Sequence, residues 1–188
     1  SYSGGGDDFR GDTGPLRVHR SVPKDPLSIA FIKAGKEAGY KETDDVSGYC
    51  QEGFGIFDRT VFKGERWSTT RGYLDPVRDR ENLTIITKAL VCKLILENNK
   101  ATGVCFKDNK NKIFNVKSKK EVILSAGAVG SPHILMLSGI GPKDHLKSMG
   151  INLIADMPGV GQNLQDHPDF MIKYKCLKPV TLWPKTKR

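Results

Sequence analysis

No apolar run in the 188 residues approaches the roughly 20 that a membrane-spanning helix needs, so no segment of that kind is present. A Gly-x-Gly-x-x-Gly turn is also lacking. Gly4-Gly5-Gly6 does not replace it, because no strand precedes those glycines and no helix comes after them. Cysteine is sparse: Cys50, Cys92, Cys105 and Cys176 lie far apart, without a Cys-x-x-Cys pair or a histidine at metal-ligand spacing. Metal binding is therefore not expected, and Cys92 and Cys105, inside apolar runs, are expected to act as small hydrophobes in a reducing environment. There is no initiating Met and no signal-peptide pattern. The Gly- and Asp-rich opening predicts that the natural start lies upstream.

Acidic residues are in the minority, 21 against 30 Lys and Arg, for a net charge of +9. Such an excess invites a nucleic-acid or membrane-surface partner. The lysines are scattered, however, with short clusters at residues 110–112, 117–120 and 185–188, and aromatic side chains do not interleave with them as a stacking platform would require. An ordinary solvated surface is expected, and no nucleic-acid partner. The length allows one ordinary domain or parts of two, and 38% hydrophobic residues suffice for a core.

Gly14-Pro15 predicts a turn into a short extended segment. Asp25-Pro26 then opens a helix: Asp25 suits the N-cap, Pro26 the first helical position, and Gly39 a left-handed C-terminal cap. Leu27, Ala30, Phe31, Ala34 and Ala38 share one face of it, which predicts core packing. Residues 53–62 are expected to be extended, with a turn at Lys63-Gly64, and residues 68–78 to be helical, capped at Ser68 and stopped near Pro76. Arg66 and Arg71 flank Trp67 and suit either an anion clamp or a plain surface helix with a partly buried Trp.

From Leu83 onward the texture is that of strands. Residues 83–87, 90–96, 101–106 and 113–116 are β-branched or apolar runs separated by Asn98-Asn99-Lys100 and Asp108-Asn109, which predicts an antiparallel meander. Glu121-Val122-Ile123-Leu124-Ser125 differs, because its apolar run does not alternate. It predicts a strand buried on both faces of a parallel sheet. This strand would end at Ala126-Gly127, with Ser131-Pro132 opening a helix. Such a corner either binds a ligand at the helix amino end or is simply a tight, small-residue junction. Pro142 and Gly150 bound a further short helix, and residues 151–154 predict a short strand. The Gly-punctuated loop after it ends in Asp166-His167, a catalytic pair or a structural one.

Ser125-Ala126-Gly127-Ala128-Val129-Gly130-Ser131-Pro132-His133-Ile134-Leu135-Met136-Leu137-Ser138-Gly139-Ile140-Gly141 resembles the second signature of the glucose-methanol-choline (GMC) oxidoreductases. Pro158-Gly159-Val160-Gly161-Gln162-Asn163-Leu164-Gln165-Asp166-His167 resembles the segment C-terminal to that signature in the same family. Upstream, Gly14-Pro15-Leu16, Thr43-Asp44-Asp45, Gln51-Glu52-Gly53-Phe54-Gly55, Gly64-Glu65-Arg66-Trp67-Ser68 and Tyr73-Leu74-Asp75-Pro76 are similar to the branch whose members oxidise choline.

The resemblance implies a mixed α/β (α+β) fold: part of an FAD-binding, Rossmann-like domain with an antiparallel β-meander, plus parts of a substrate-binding domain. Residues 1–65 would belong to the substrate-binding domain, 66–167 to the FAD-binding domain, and 168–188 to the return into the first. It also implies an internal piece of a longer FAD-dependent alcohol dehydrogenase acting on a choline-like alcohol. Electrons would pass to a respiratory-chain acceptor, in the cytoplasm or peripherally at an inner membrane. Val91 matches the family position whose backbone meets the adenine end of FAD, and Ala126 and Gly127 match the strand end beside the cofactor. Residues 161–167 match the chain's return toward the substrate domain. The family's dinucleotide turn and active-site His match nothing here, so none of His19, His133, His145 and His167 is expected to be catalytic.

Overall fold

β1 (His19–Arg20) comes after the Gly14-Pro15 turn and pairs antiparallel with β2 (Asp58–Arg59). Nearby, Tyr2 bridges Val18. The computed structural model describes residues 1–181, so the basic end at residues 185–188 lies outside the described residues. By its packing the described chain forms two units, Ser1–Thr84 joined by residues 172–181, and Ile85–Met171.

In the first unit α1 (Pro26–Glu37) starts where the sequence predicts, with the Asp25 carboxylate accepting the Ser28 amide at 3.0 Å. Its predicted core face is not buried, and Phe31 is 67% exposed. The helix rests instead through Gly35 on the Phe54 ring, which Phe31 and Tyr40 flank at centroid distances of 5.2 and 5.5 Å. Leu27 lines a shallow cavity with Tyr174, Leu177 and Val180, so the apolar stripe is only partly covered. Residues 53–57 form no strand, and the sole pairing in that stretch is a bridge from Phe54 to Glu42. β3 (Val61–Phe62) and β4 (Glu65–Arg66) make a hairpin around Lys63-Gly64, as expected. The helix predicted over residues 68–78 is a wide π-helical turn (Thr70–Leu74) and then a 3-10 turn (Asp75–Val77). Pro76 has no amide hydrogen to continue an α-helical ladder.

The second unit is built on the meander. β5 (Leu90–Glu97), β6 (Lys100–Lys107) and β7 (Ile113–Lys117) pair antiparallel in chain order. Asn98 and Asn99 both adopt positive φ (50° and 60°), the conformation a two-residue hairpin turn needs. The register shifts by one residue between Val91 and Lys93 and back between Ile95 and Leu96. Residues 83–87 do not join the sheet. α2 (Gly127–Leu137) packs against β5, and the unit's buried hydrophobic side chains are Leu94, Cys105, Phe106 and Leu146. β8 (Ile140–Gly141) pairs parallel with β9 (Ala155–Asp156), the two joined by α3 (Lys143–Ser148) into a small strand-helix-strand unit.

Three expectations are corrected here. Residues 121–125 form no strand, and Ile123 is 78% exposed. A parallel strand exists only through neighbours, and none of the described residues pairs with this one. α2 begins at Gly127, before the Ser131-Pro132 signal, because the Ser131 hydroxyl reaches back to the Ala126 amide at 3.0 Å and Pro132 is accommodated inside the helix. Finally, the short strand is Ala155–Asp156, not residues 151–154. The Ile154 and Ala155 amides both turn to the Gly139 carbonyl, which sets the parallel register of β8 and β9.

Candidate functional site

The corner from Ser125 into α2 has no charged side chain between Val122 and Pro132. Its polarity comes from the backbone. Gly127 takes φ 83°, and a β-carbon there would meet nothing within 4 Å, so its surroundings are open. The amides of the first helical turn have no intrahelical acceptors and carry the positive end of the helix dipole. Ala126 and Gly127 are exposed. Small, exposed and amide-rich, this corner suits close approach by a polar or anionic group.

Ser138, just past the carboxyl end of α2, ties the helix to the sheet. Its hydroxyl accepts the Leu94 amide at 2.8 Å and donates to the Ile134 carbonyl at 2.6 Å. Val91 lies on the same strand, half-buried, beside the bulge created by the extra residue Cys92. Bulges bend a strand and re-aim its backbone, and they recur next to binding sites. The loop after β9 returns over α2, where Gly161 (φ 78°) faces Met136 and Pro132. Val91, Ala126 and Gly127 thus share one unit, on a strand and a helix packed against each other.

Other candidates resolve differently. The Asp166 carboxylate accepts the His167 backbone amide at 2.8 Å, so this contact does not orient the imidazole and the pair is local. All four histidines are exposed. Arg71 is engaged by Glu65, and the Trp67 indole donates to the Pro15 carbonyl at 2.9 Å, edge-on to Phe62. That favours the surface reading of this stretch over a clamp. Among the described residues no group of three His, Cys, Asp or Glu side chains could hold a metal ion, and all four cysteines are free.

Sequence reasoning missed the densest charge cluster. In the first unit Arg10 donates to Asp7 at 2.8 Å and Asp58 at 2.7 Å, pairs also with Asp45, and lies over the Tyr2 ring at 4.1 Å. Arg10 holds Asp7 below the usual carboxylate range, helped by the Phe9 amide. The Ser47 amide, then Arg10, lowers Asp45, and Asp7 foremost raises Arg10. Asp45 and Asp58 lie 35 and 48 residues from Arg10, so those two pairings leave no local signal in the sequence.

The GMC oxidoreductase family model matches residues 7–169. The chain is 48% identical over 179 residues to the oxygen-dependent choline dehydrogenase of Staphylococcus xylosus and 48% over 180 residues to that of Rhizobium meliloti, covering 95% and 96% of itself. It spans 32% of the length of each. Among solved structures, an FAD-dependent oxidoreductase from Chaetomium thermophilum superposes with a TM-score of 0.79 at 35% identity, over 86% of this chain and 28% of that one. Pyridoxine 4-oxidase from Mesorbium loti gives 0.76 at 34%, over 84% and 31%. With the family model matching from Asp7 through the meander, the α2 corner and the loop beyond β9, the chain belongs to the GMC oxidoreductase family.

Proposed function

We propose that the chain is part of an FAD-dependent oxidoreductase that oxidises choline, or a related primary alcohol, at its CH–OH group. One observation carries this reading: identity to choline dehydrogenases holds at 48% across 95–96% of the chain, through both units. The cofactor, when bound, supplies the chemistry by accepting a hydride from the alcohol carbon. The chain's own part is to hold and orient it. The Val91 backbone, beside its bulge, would meet the adenine end. Ala126 and Gly127 would lie against the cofactor, with the first-turn amides of α2 as donors, and residues 161–167 would lead the chain back toward the substrate side. The open space at Gly127 and the absence of charged residues from Val122 to Pro132 fit such a group. Residues 1–65 and 168–188 would then serve the substrate-binding domain and 66–167 the FAD-binding domain. Removal of the alcohol proton is assigned to no residue here. Electrons would pass to a respiratory-chain acceptor, in the cytoplasm or at an inner membrane.

A second reading keeps the family and changes the alcohol, because one solved neighbour is a pyridoxine 4-oxidase. Anaerobic mixing of the full-length, flavin-loaded protein with choline, pyridoxine and simple alcohols separates the two. Choline should bleach the flavin absorbance fastest. Equal or faster bleaching by another alcohol would remove the choline assignment and leave the family intact.

A further inference from the structure

The first unit contains a cavity of about 570 Å³ between the extended run into β1 and the tip of the β3–β4 hairpin. Arg17 and His19, two apart on that run, line it from one side, and Lys63 lines it from the other. No carboxylate takes part in the lining. Both fixed cations gather on one ring: the Arg17 guanidinium carbon stands 5.4 Å from the Phe62 centroid, and the Lys63 Nζ 5.5 Å. Lys63 is held in the turn at φ 49°, and a β-carbon on neighbouring Gly64 would meet nothing within 4 Å, so the tip stands open. The acids next in sequence are already engaged, Glu65 with Arg71 and Asp58 with Arg10. Among the described residues neither Arg17 nor Lys63 forms an ion pair, and the Arg17 guanidinium donates only to the Ser1 hydroxyl. Unpaired cations in a concave, acid-free surface focus positive potential over the cavity.

From this we infer that the cavity binds a small organic phosphate monoester. A guanidinium presents a planar fork that grips two oxygens of a phosphate, and an ammonium adds a point charge. Having spent one donor on Ser1, Arg17 keeps the others free. The volume is that of a small-molecule site rather than of a bare ion. Val18, Val61 and Phe62, which is 38% exposed, give the rest of the wall an apolar surface, so the ligand carries a compact apolar body. One ring and two fixed cations are too few for a nucleic-acid strand, which needs a line of charges and stacking faces. The site is independent of the flavin reading, whose failure would show as a missing flavin spectrum.

Equilibrium dialysis of the full-length, flavin-loaded protein tests it, with phenyl phosphate, inorganic phosphate and benzoate at equal ionic strength. Phenyl phosphate should bind tightest, inorganic phosphate about tenfold more weakly for want of the ring, and benzoate more weakly than phenyl phosphate for want of the second charge. Arg17→Gln and Lys63→Asn should each weaken phenyl phosphate about tenfold. Asparagine is chosen at residue 63 because it tolerates the left-handed turn. Arg17→Lys should recover part of the loss, and Phe62→Leu should weaken phenyl phosphate more than inorganic phosphate. The flavin spectrum of each variant reports folding. Should a variant not fold, the unaltered protein still decides through the order of the three ligands. No uptake of phenyl phosphate, benzoate binding as tightly, or affinities unmoved by the Arg17 and Lys63 substitutions would each overturn the inference.

Discussion

Ser138 is 6% exposed and joins a helix end to a sheet edge with a single hydroxyl. Removing it strands the buried Leu94 amide, so Ser138→Ala should cost about 1–3 kcal/mol. Urea unfolding monitored by intrinsic fluorescence measures this, and a change within error would mean that water replaces the hydroxyl. Gly127 and Gly139 allow a sharper comparison. Both hold left-handed φ (83° and 84°), but a β-carbon on Gly139 would stand 2.5 Å from the Asn152 carbonyl, while one on Gly127 meets open space. Gly139→Ala should therefore lose stability through both strain and clash. Gly127→Ala should lose only about 1–2 kcal/mol for the conformation, and should weaken flavin binding by more than that loss accounts for. Equal stability losses with unchanged flavin affinity would remove Gly127 from the cofactor's surroundings. At this scale the sequence is legible where chemistry and spacing are local, as at Asp25 or Asn98-Asn99. It is silent on Ser138, whose partner lies 44 residues away.

Among the elements, the meander and α1 are readable because each carries its own start, period and stop. Residues 121–125 are not: their composition describes a strand's environment, and its partners must come from elsewhere in the chain. The π-helical turn at residues 70–74 is a third case, an α-helical pattern interrupted by Pro76 and widened by backbone rather than side-chain choice. The loop cluster around Arg10 gives the element scale its own prediction. Folded Asp7 and Asp45 have lowered pKa values, so the fold favours their ionised forms. The stability they contribute is present above the ordinary aspartate value of about 3.9 and is lost as pH falls below it. Limited proteolysis of residues 1–60 should accelerate below about pH 4, and Arg10→Gln should flatten that dependence by making the segment labile at neutral pH as well. An unchanged pH profile in Arg10→Gln would show that the backbone turns alone hold the cluster.

Considered whole, the chain exposes much apolar surface: Ile123, Val129, Phe170, Met171, Ile172 and Tyr174 are each more than two-thirds exposed. Monomeric proteins seldom leave such stretches bare, which makes them surfaces for packing against further protein. Family membership is legible because the run from Ser125 to Gly141 combines small residues at a helix entry with an apolar helix. The substrate is less so, because no residue that would grip an alcohol announces itself by spacing. These 188 residues contain no Gly-x-Gly-x-x-Gly turn of the kind that seats a pyrophosphate, and all four of their histidines are exposed. Purified by itself, the 188-residue chain should show no choline-dependent reduction of a dye acceptor, little quenching of added FAD fluorescence, and concentration-dependent association by light scattering. Reconstitution with FAD that gave a stable yellow, monodisperse protein would mean that the α2 corner and Val91 suffice to hold the cofactor. The missing turn would then be dispensable for binding, and its role would shift to setting the flavin's reactivity.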